Sequence, residues 1–113
     1  MKTITLYRPV ANAELALIEE SGWERFPPRL PEQPFFYPVM NEAYATQITV
    51  EWNVPAYGVG YVTRFEVEEN YLSKYEVQNV GGELHDELWI PAEDLQNFNA
   101  HIVGKIEVIA KYE

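Results

Sequence analysis

The chain has no cysteine, and only two histidines and two serines stand among its 113 residues. Without cysteine there is no disulfide, no zinc–thiolate site and no thiol nucleophile. That absence suits a reducing compartment, so a cytoplasmic setting is expected. His85 and His101 fall on different expected elements and no His-Glu-x-x-His motif is present, which leaves no pattern for a zinc hydrolase. Asp86 and Asp94 are the only aspartates, and neither opens a calcium loop of the Asp-x-Asp-x-Asp-Gly kind; no metal is expected. Ser21 and Ser73 lie outside any nucleophile-elbow motif. The pair Gly58 and Gly60 lacks the rest of a dinucleotide-binding glycine fingerprint and reads as a turn.

Positive charge is scarce as well: 8 Lys and Arg stand against 18 Asp and Glu, a net charge of −10. An acidic surface repels phosphate backbones, so nucleic acid is not an expected partner, whereas a basic protein is compatible. No apolar run approaches the ~20 residues of a membrane helix. The opening "MKTITLYRPV" alternates polar and apolar residues and so does not read as a signal peptide.

What the chain does have is apolar mass: 47% hydrophobic and 14% aromatic residues. At this length that is enough for one core, and one domain over residues 1–113 is expected. "TITLYR" alternates and predicts a strand ending at Pro9, with Ile4, Leu6 and Arg8 on one face. "NAELALIEESGW" predicts a helix with Asn12 as N-cap and Gly22 just past its end. "NEAYATQITVEWN" predicts the best helix of the chain, capped by Asn41, with Tyr44, Ile48 and Trp52 stacked on one side. "VPAYGVG" reads as a loop.

The second half reads mainly as strands: "GYVTRFEVEE", "KYEVQNV", "LHDELWIP" and "KIEVIAKY", the last with Ile106, Val108 and Ala110 aligned. Gly81-Gly82 turns the chain between the second and third of these, and "AEDLQNFN" is a short helix before the last. This order is no regular β-α-β alternation. The fold class expected is α+β, a mostly antiparallel (split) sheet with two or three short helices.

Some residues invite a chemical reading. Arg8 ends a strand on an otherwise apolar face, where a guanidinium must reach solvent, an acidic neighbour, or an anion that it can grip bidentately. His85, Glu87 and Trp89 alternate on one strand face, opposite Leu88 and Ile90. A carboxylate beside tryptophan can hold ribose hydroxyls; the alternative is a solvent-facing strand side in an acidic protein. Arg64 and Glu66 suggest cross-strand ion pairing, and Glu66, Glu68 and Glu69 read as exposed.

Five of the eight prolines lie in "FPPRLPEQPFFYPV", residues 26–39. Prolines hold such a stretch rigid. Its phenylalanines, Phe26, Phe35 and Phe36, look destined for the core, so it reads as a wall that fixes Arg29 and Tyr37 near the end of the first strand. Tyr37 and Tyr44 offer stacking faces, although a tyrosine on an amphipathic helix is as readily core.

The words "LYRPV", "FPPRLPEQP", "FYPV", "GYVTRFEV" and "ELWIPAEDL", in this order, resemble a family of small bacterial proteins labelled "ADP-ribosylation/crystallin J1", over nearly the whole chain. The crystallin half of the label points to large all-helical, magnesium-binding glycohydrolases. A β-rich chain with two aspartates does not fit it. The other half implies an ADP-ribosyltransferase-like fold that grips NAD in a cleft. By that resemblance Arg8 would hold the pyrophosphate, Tyr37 or Tyr44 would be the middle aromatic, and Glu87 would be the catalytic acid at the ribose. His85 takes the place of the Glu or Gln that often stands two residues before that acid. Arg29, outside that pattern, is held by its neighbouring prolines and so suits a further fixed cationic contact to the cofactor. The Ser-Thr-Ser type of middle strand is absent. Two functions therefore stand side by side: an NAD- or ADP-ribose-binding domain, transferring ADP-ribose or hydrolysing NAD, and a catalytically inactive acidic module that binds protein.

Overall fold

The computed structural model describes residues 2–113. The chain runs β1 (Thr3–Val10), α1 (Asn12–Glu20), β2 (Phe35–Phe36), α2 (Glu42–Ile48), α3 (Val54–Tyr57), β3 (Gly60–Glu68), α4 (Glu69–Leu72), β4 (Val77–Asn79), β5 (Asp86–Leu88), β6 (Ile90–Pro91), α5 (Leu95–Ala100) and β7 (Ile102–Tyr112). A π-helical turn, Thr49–Asn53, joins α2 to α3, and a 3-10 turn, Ala92–Asp94, leads into α5. The class is α+β with antiparallel pairing.

Three strands form one sheet in the order β1-β3-β7, and β2-β6 and β4-β5 form two ribbons. Val39 ties them together. It exchanges backbone hydrogen bonds with Tyr7 on one side, at 2.8 and 3.0 Å, and is bridged to Glu87 on the other. The pairs Phe35–Pro91, Phe36–Ile90 and Val39–Glu87 share one register. The end of the proline-rich stretch therefore runs as a strand between β1 and the 86–91 segment. Pro38 fits there because its carbonyl accepts from Leu88 N at 2.9 Å while its missing N–H costs one bond at most.

β1 does not stop at Pro9, as the proline suggests, but continues to Val10, with Pro9 opposite Val62. Alternate residues of a strand bond to opposite sides. Tyr7 bonds outward to Val39, so Pro9 also faces outward, where β1 and the 35–40 segment have parted. No ladder bond is lost at Pro9.

The two faces of the sheet carry two clusters. Leu6, Val10, Phe36, Phe65, Leu88 and Ile90 pack with Phe26, with Ile18 of α1 and with Leu95 and Phe98 of α5. On the other face Val39, Ala45 and Val62 pack with Tyr7, Tyr44 and Ile48. Of the three phenylalanines expected inside, Phe26 and Phe36 are buried, while Phe35 is half-buried on the second face.

Three helix expectations change. Asn41 does cap α2, accepting from Tyr44 N at 2.7 Å. However, the π turn that follows adds a residue to the backbone ring and rotates everything after it. Trp52, expected beside Tyr44 and Ile48, is 72% exposed. The helix then continues through "VPAY", which reads as loop in sequence, and ends at Gly58 with φ +82°. Pro55 follows directly on the π turn, where Val54 N donates to Thr49 O, and the widened turn accommodates its ring and missing N–H. In α1, Asn12 is already helical and its side chain caps nothing; it accepts from Tyr61 OH at 3.0 Å. Gly22, φ +79°, ends α1 as expected: Gly22 N donates to Glu19 O and Trp23 N to Ile18 O, a Schellman pattern.

β7 also departs from simple alternation. Its pairing with β3 shifts register between Val62 and Thr63 and again between Arg64 and Glu66. The first shift carries Ala110 to the second cluster, beside Val62, whereas Ile106 and Val108 stay together beside Gly22 and Trp23, Ile106 buried and Val108 at the exposed rim. Arg64 pairs with Glu107 across the strands, at 3.3 Å. Glu66 instead accepts hydrogen bonds from Thr3 and Thr5, so it is not a free surface charge.

Candidate functional site

Glu87 leaves β5 on the face covered by α2. It is 9% exposed, so its carboxylate needs partners. Tyr44 OH donates to Oε1 at 2.8 Å, and Trp89 Nε1 donates to Oε2 at 3.0 Å. Asn41 makes the first of these possible, since its cap fixes the turn of α2 that carries Tyr44. His85 stacks on Tyr44 with ring centroids 4.7 Å apart, and its Nε2 lies 2.8 Å from Gln47 Oε1. The alternation His85, Glu87, Trp89 thus forms one continuous face, as expected.

Aromatic rings extend this face. Trp89 lies opposite Tyr37, with centroids 6.3 Å apart and planes near perpendicular. Phe35 touches both, at 6.0 Å from Trp89 and 6.1 Å from Tyr37. Tyr37 and Trp89 keep enough exposed surface to meet a ligand.

Arg8 and Arg29 assemble elsewhere. Arg8 shares the face of Leu6 and Val10, and its guanidinium lies 4.5 Å from the centre of the Phe36 ring. Nε and Nη2 donate to the two oxygens of Glu14, at 2.6 and 2.9 Å. Nη1 lies 3.4 Å from the Tyr37 carbonyl. Arg29 Nε donates to the Phe35 carbonyl at 3.1 Å. Both guanidiniums therefore fill the gap where β1 and the 35–40 segment part. Burial, and next the charge of Arg8, pull the Arg29 guanidinium below its ordinary value; Glu14 and Tyr37 act against this.

Of the six residues singled out from sequence, Glu87, Tyr44, His85 and Tyr37 come together. Arg8 and Arg29 come together on the far side of the same strand. Tyr37 belongs to both groups, its ring to the first and its carbonyl to the second. Arg8 and Glu87 do not face each other across a cleft. No protein-family model, curated protein or solved structure matches the chain.

Two contacts escape the sequence reading. Glu14, partner of Arg8, stands in the first turn of α1, an ordinary place for an acid. Its proximity to Arg8 in sequence is the one hint. Gln47, partner of His85, lies one turn beyond Tyr44, so its position on the same helix face is the available signal. Among the described residues no group of three or more His, Asp or Glu side chains is arranged to hold a metal.

The Tyr44–Glu87 contact has a pH signature. Burial first, and then the Glu87 hydrogen bond and charge, push the Tyr44 hydroxyl up to about 12. A proton held more tightly in the folded chain stabilises it fully below the unfolded value of about 10. That contribution is lost as pH rises from about 10 through about 12. Urea unfolding across this window should show stability falling more steeply for the native chain than for Tyr44→Phe. Tyr75 is displaced in the same direction, by burial and then by its bonds to Tyr71 and Asp94. The two proteins share that component, so equal slopes would dismiss the Tyr44 assignment.

Proposed function

We propose that the chain is an NAD- or ADP-ribose-binding domain of ADP-ribosyltransferase-like fold, with its ligand on the Glu87 face. One observation carries this: a nearly buried carboxylate, held by Tyr44 and Trp89, lies beside the half-exposed rings of Tyr37 and Phe35. An ionised carboxylate offers about four lone-pair directions. Two are used, which leaves capacity for the vicinal hydroxyls of a ribose. The neighbouring rings supply apolar faces for a planar base. His85, braced by Gln47 and Tyr44, borders the same surface. The resemblance described above points to the same ligand class and the same acid.

The proposal extends to binding and not to turnover. A transferase would need Glu87 to support the positive charge that develops as nicotinamide leaves, with a cation on the pyrophosphate. Arg8, the residue expected for that cation, spends its guanidinium on Glu14 on the opposite face.

Calorimetric titration with NAD and with ADP-ribose tests the reading. Glu87→Gln keeps the shape of the site and removes the charge, and is expected to weaken binding by about tenfold or more, given roughly 1.5–3 kcal/mol for a hydrogen bond to a charged group. The idea is sunk if neither nucleotide gives heat with the native chain, or if Glu87→Gln binds as well.

A second reading, an acidic protein-binding module, has its own observation. Exposed carboxylates such as Glu19, Glu42, Glu51 and Glu69 enter no ion pair among the described residues. They leave much of the −10 net charge available to steer a basic partner.

A further inference from the structure

A groove of about 610 Å³ opens on the α1/α5 side of the molecule, on the other face of the sheet from Glu87. One wall is the end of α1, with Leu17 and Glu20; the other is the 3-10 turn and start of α5, with Glu93 and Leu95. Phe26, Pro27 and Pro28 line it between them. Leu95 and Phe26 are buried, but Leu17 is 49% exposed, so an apolar surface remains open to solvent.

This groove is preformed. Asn99 holds the backbone of Phe26 by two bonds, accepting from its N–H and donating to its C=O, both at 3.0 Å. Ser21 Oγ accepts from the N–H groups of Glu24 and Arg25, which ties the exit of α1 to the same segment. Pro27 and Pro28 add stiffness. A rigid apolar trough of this size meets the usual description of a binding site.

Its charges are asymmetric. Glu20 and Glu93 stand on opposite walls and neither enters an ion pair among the described residues. Arg25 is the one cation lining the groove. Local charge is therefore negative, and it sits within a chain of net charge −10 whose field draws cations in.

We propose that this groove docks a segment of a partner protein that is apolar on one side and carries lysine or arginine beside it. The apolar side chains would cover Leu17 and Pro28, and the basic ones would meet Glu20 and Glu93. This is the helix-in-groove mode of recognition, with charge complementarity at the rim giving specificity and salt dependence. It goes beyond the nucleotide reading and uses none of its residues.

The test uses two synthetic amphipathic peptides of identical pattern, one of leucine and lysine, the other of leucine and glutamate. Binding to the full chain is read by fluorescence anisotropy, and the contact surface by amide chemical shifts. The lysine peptide is expected to bind with shifts centred on Leu17, Phe26 and Gln96, and the glutamate peptide to bind at least about tenfold more weakly. Glu20→Lys with Glu93→Lys should cost about tenfold or more, whereas Glu51→Lys with Glu76→Lys, the same change in net charge away from the groove, should cost less than about threefold in physiological salt. All four positions are exposed, so the variants should keep the fold, and circular dichroism checks that they do. Equal losses in the two pairs, shifts centred outside the groove, or no binding of the lysine peptide would overturn the proposal.

Discussion

Phe36→Ala is expected to destabilise the chain by about 3–5 kcal/mol, the range for deleting a buried aromatic ring. Phe36 is fully buried, packs 5.0 Å from Phe26 and 5.4 Å from Phe98, and lies under the Arg8 guanidinium. Removing the ring opens a cavity at the point where α5, the proline-rich wall and the end of β1 meet. It also withdraws the π-face on which Arg8 rests, worth roughly 0.5–2 kcal/mol. Guanidinium denaturation measures the sum. A loss below about 1 kcal/mol would mean that the site collapses freely, contrary to the rigid packing described.

Glu14→Ala is expected to cost about 3 kcal/mol, the lower end of the range for breaking a buried ion pair. The lower end applies because the Glu14 side chain keeps 20% of its exposure, against 10% for Arg8. The cost comes from leaving Arg8 charged and unpaired beside Arg29, which is itself half-buried. The double replacement Arg8→Met with Glu14→Leu should recover most of this loss, since exchanging both partners for apolar residues is often neutral. If Glu14→Ala unfolds no more readily than the native chain, Arg8 is solvated in solution and free to hold an anion. That outcome would reopen Arg8 as a pyrophosphate ligand.

The two variants also separate structure from recognition. Neither residue lies on the Glu87 face, so nucleotide binding below the unfolding transition should survive both. Glu87→Gln should do the reverse, weakening the ligand while leaving the aromatic core intact.

Much of this architecture is readable from local chemistry. Alternation in "LHDELWIP" determined that Glu87 and Trp89 point one way and Leu88 and Ile90 the other, because a pleated strand has no other choice. Asn41 announced α2, since its short side chain can meet an N–H that the first turn leaves unpaired. Gly22 announced the end of α1, because only glycine adopts a left-handed conformation at no cost. The same alternation put Arg8 on the face of Leu6.

Other features were decided only by the assembled chain. Alternation sets the faces within one strand but does not say which face of β1 continues into which face of β5. That relation depends on the strand through Val39 that lies between them, and it separates Arg8 from Glu87. The π turn that exposes Trp52 depends on how α2 and the turn itself fit over β3, where a Cβ at Gly60 would stand 2.6 Å from Thr49 Cγ2. Pro9 stays within β1 because the neighbouring strand has parted from it there. Sequence determined which residues are chemically capable and which neighbours share their face. Tertiary structure decided their partners, because Glu14 reaches Arg8, and Tyr44 reaches Glu87, only when separate elements pack together.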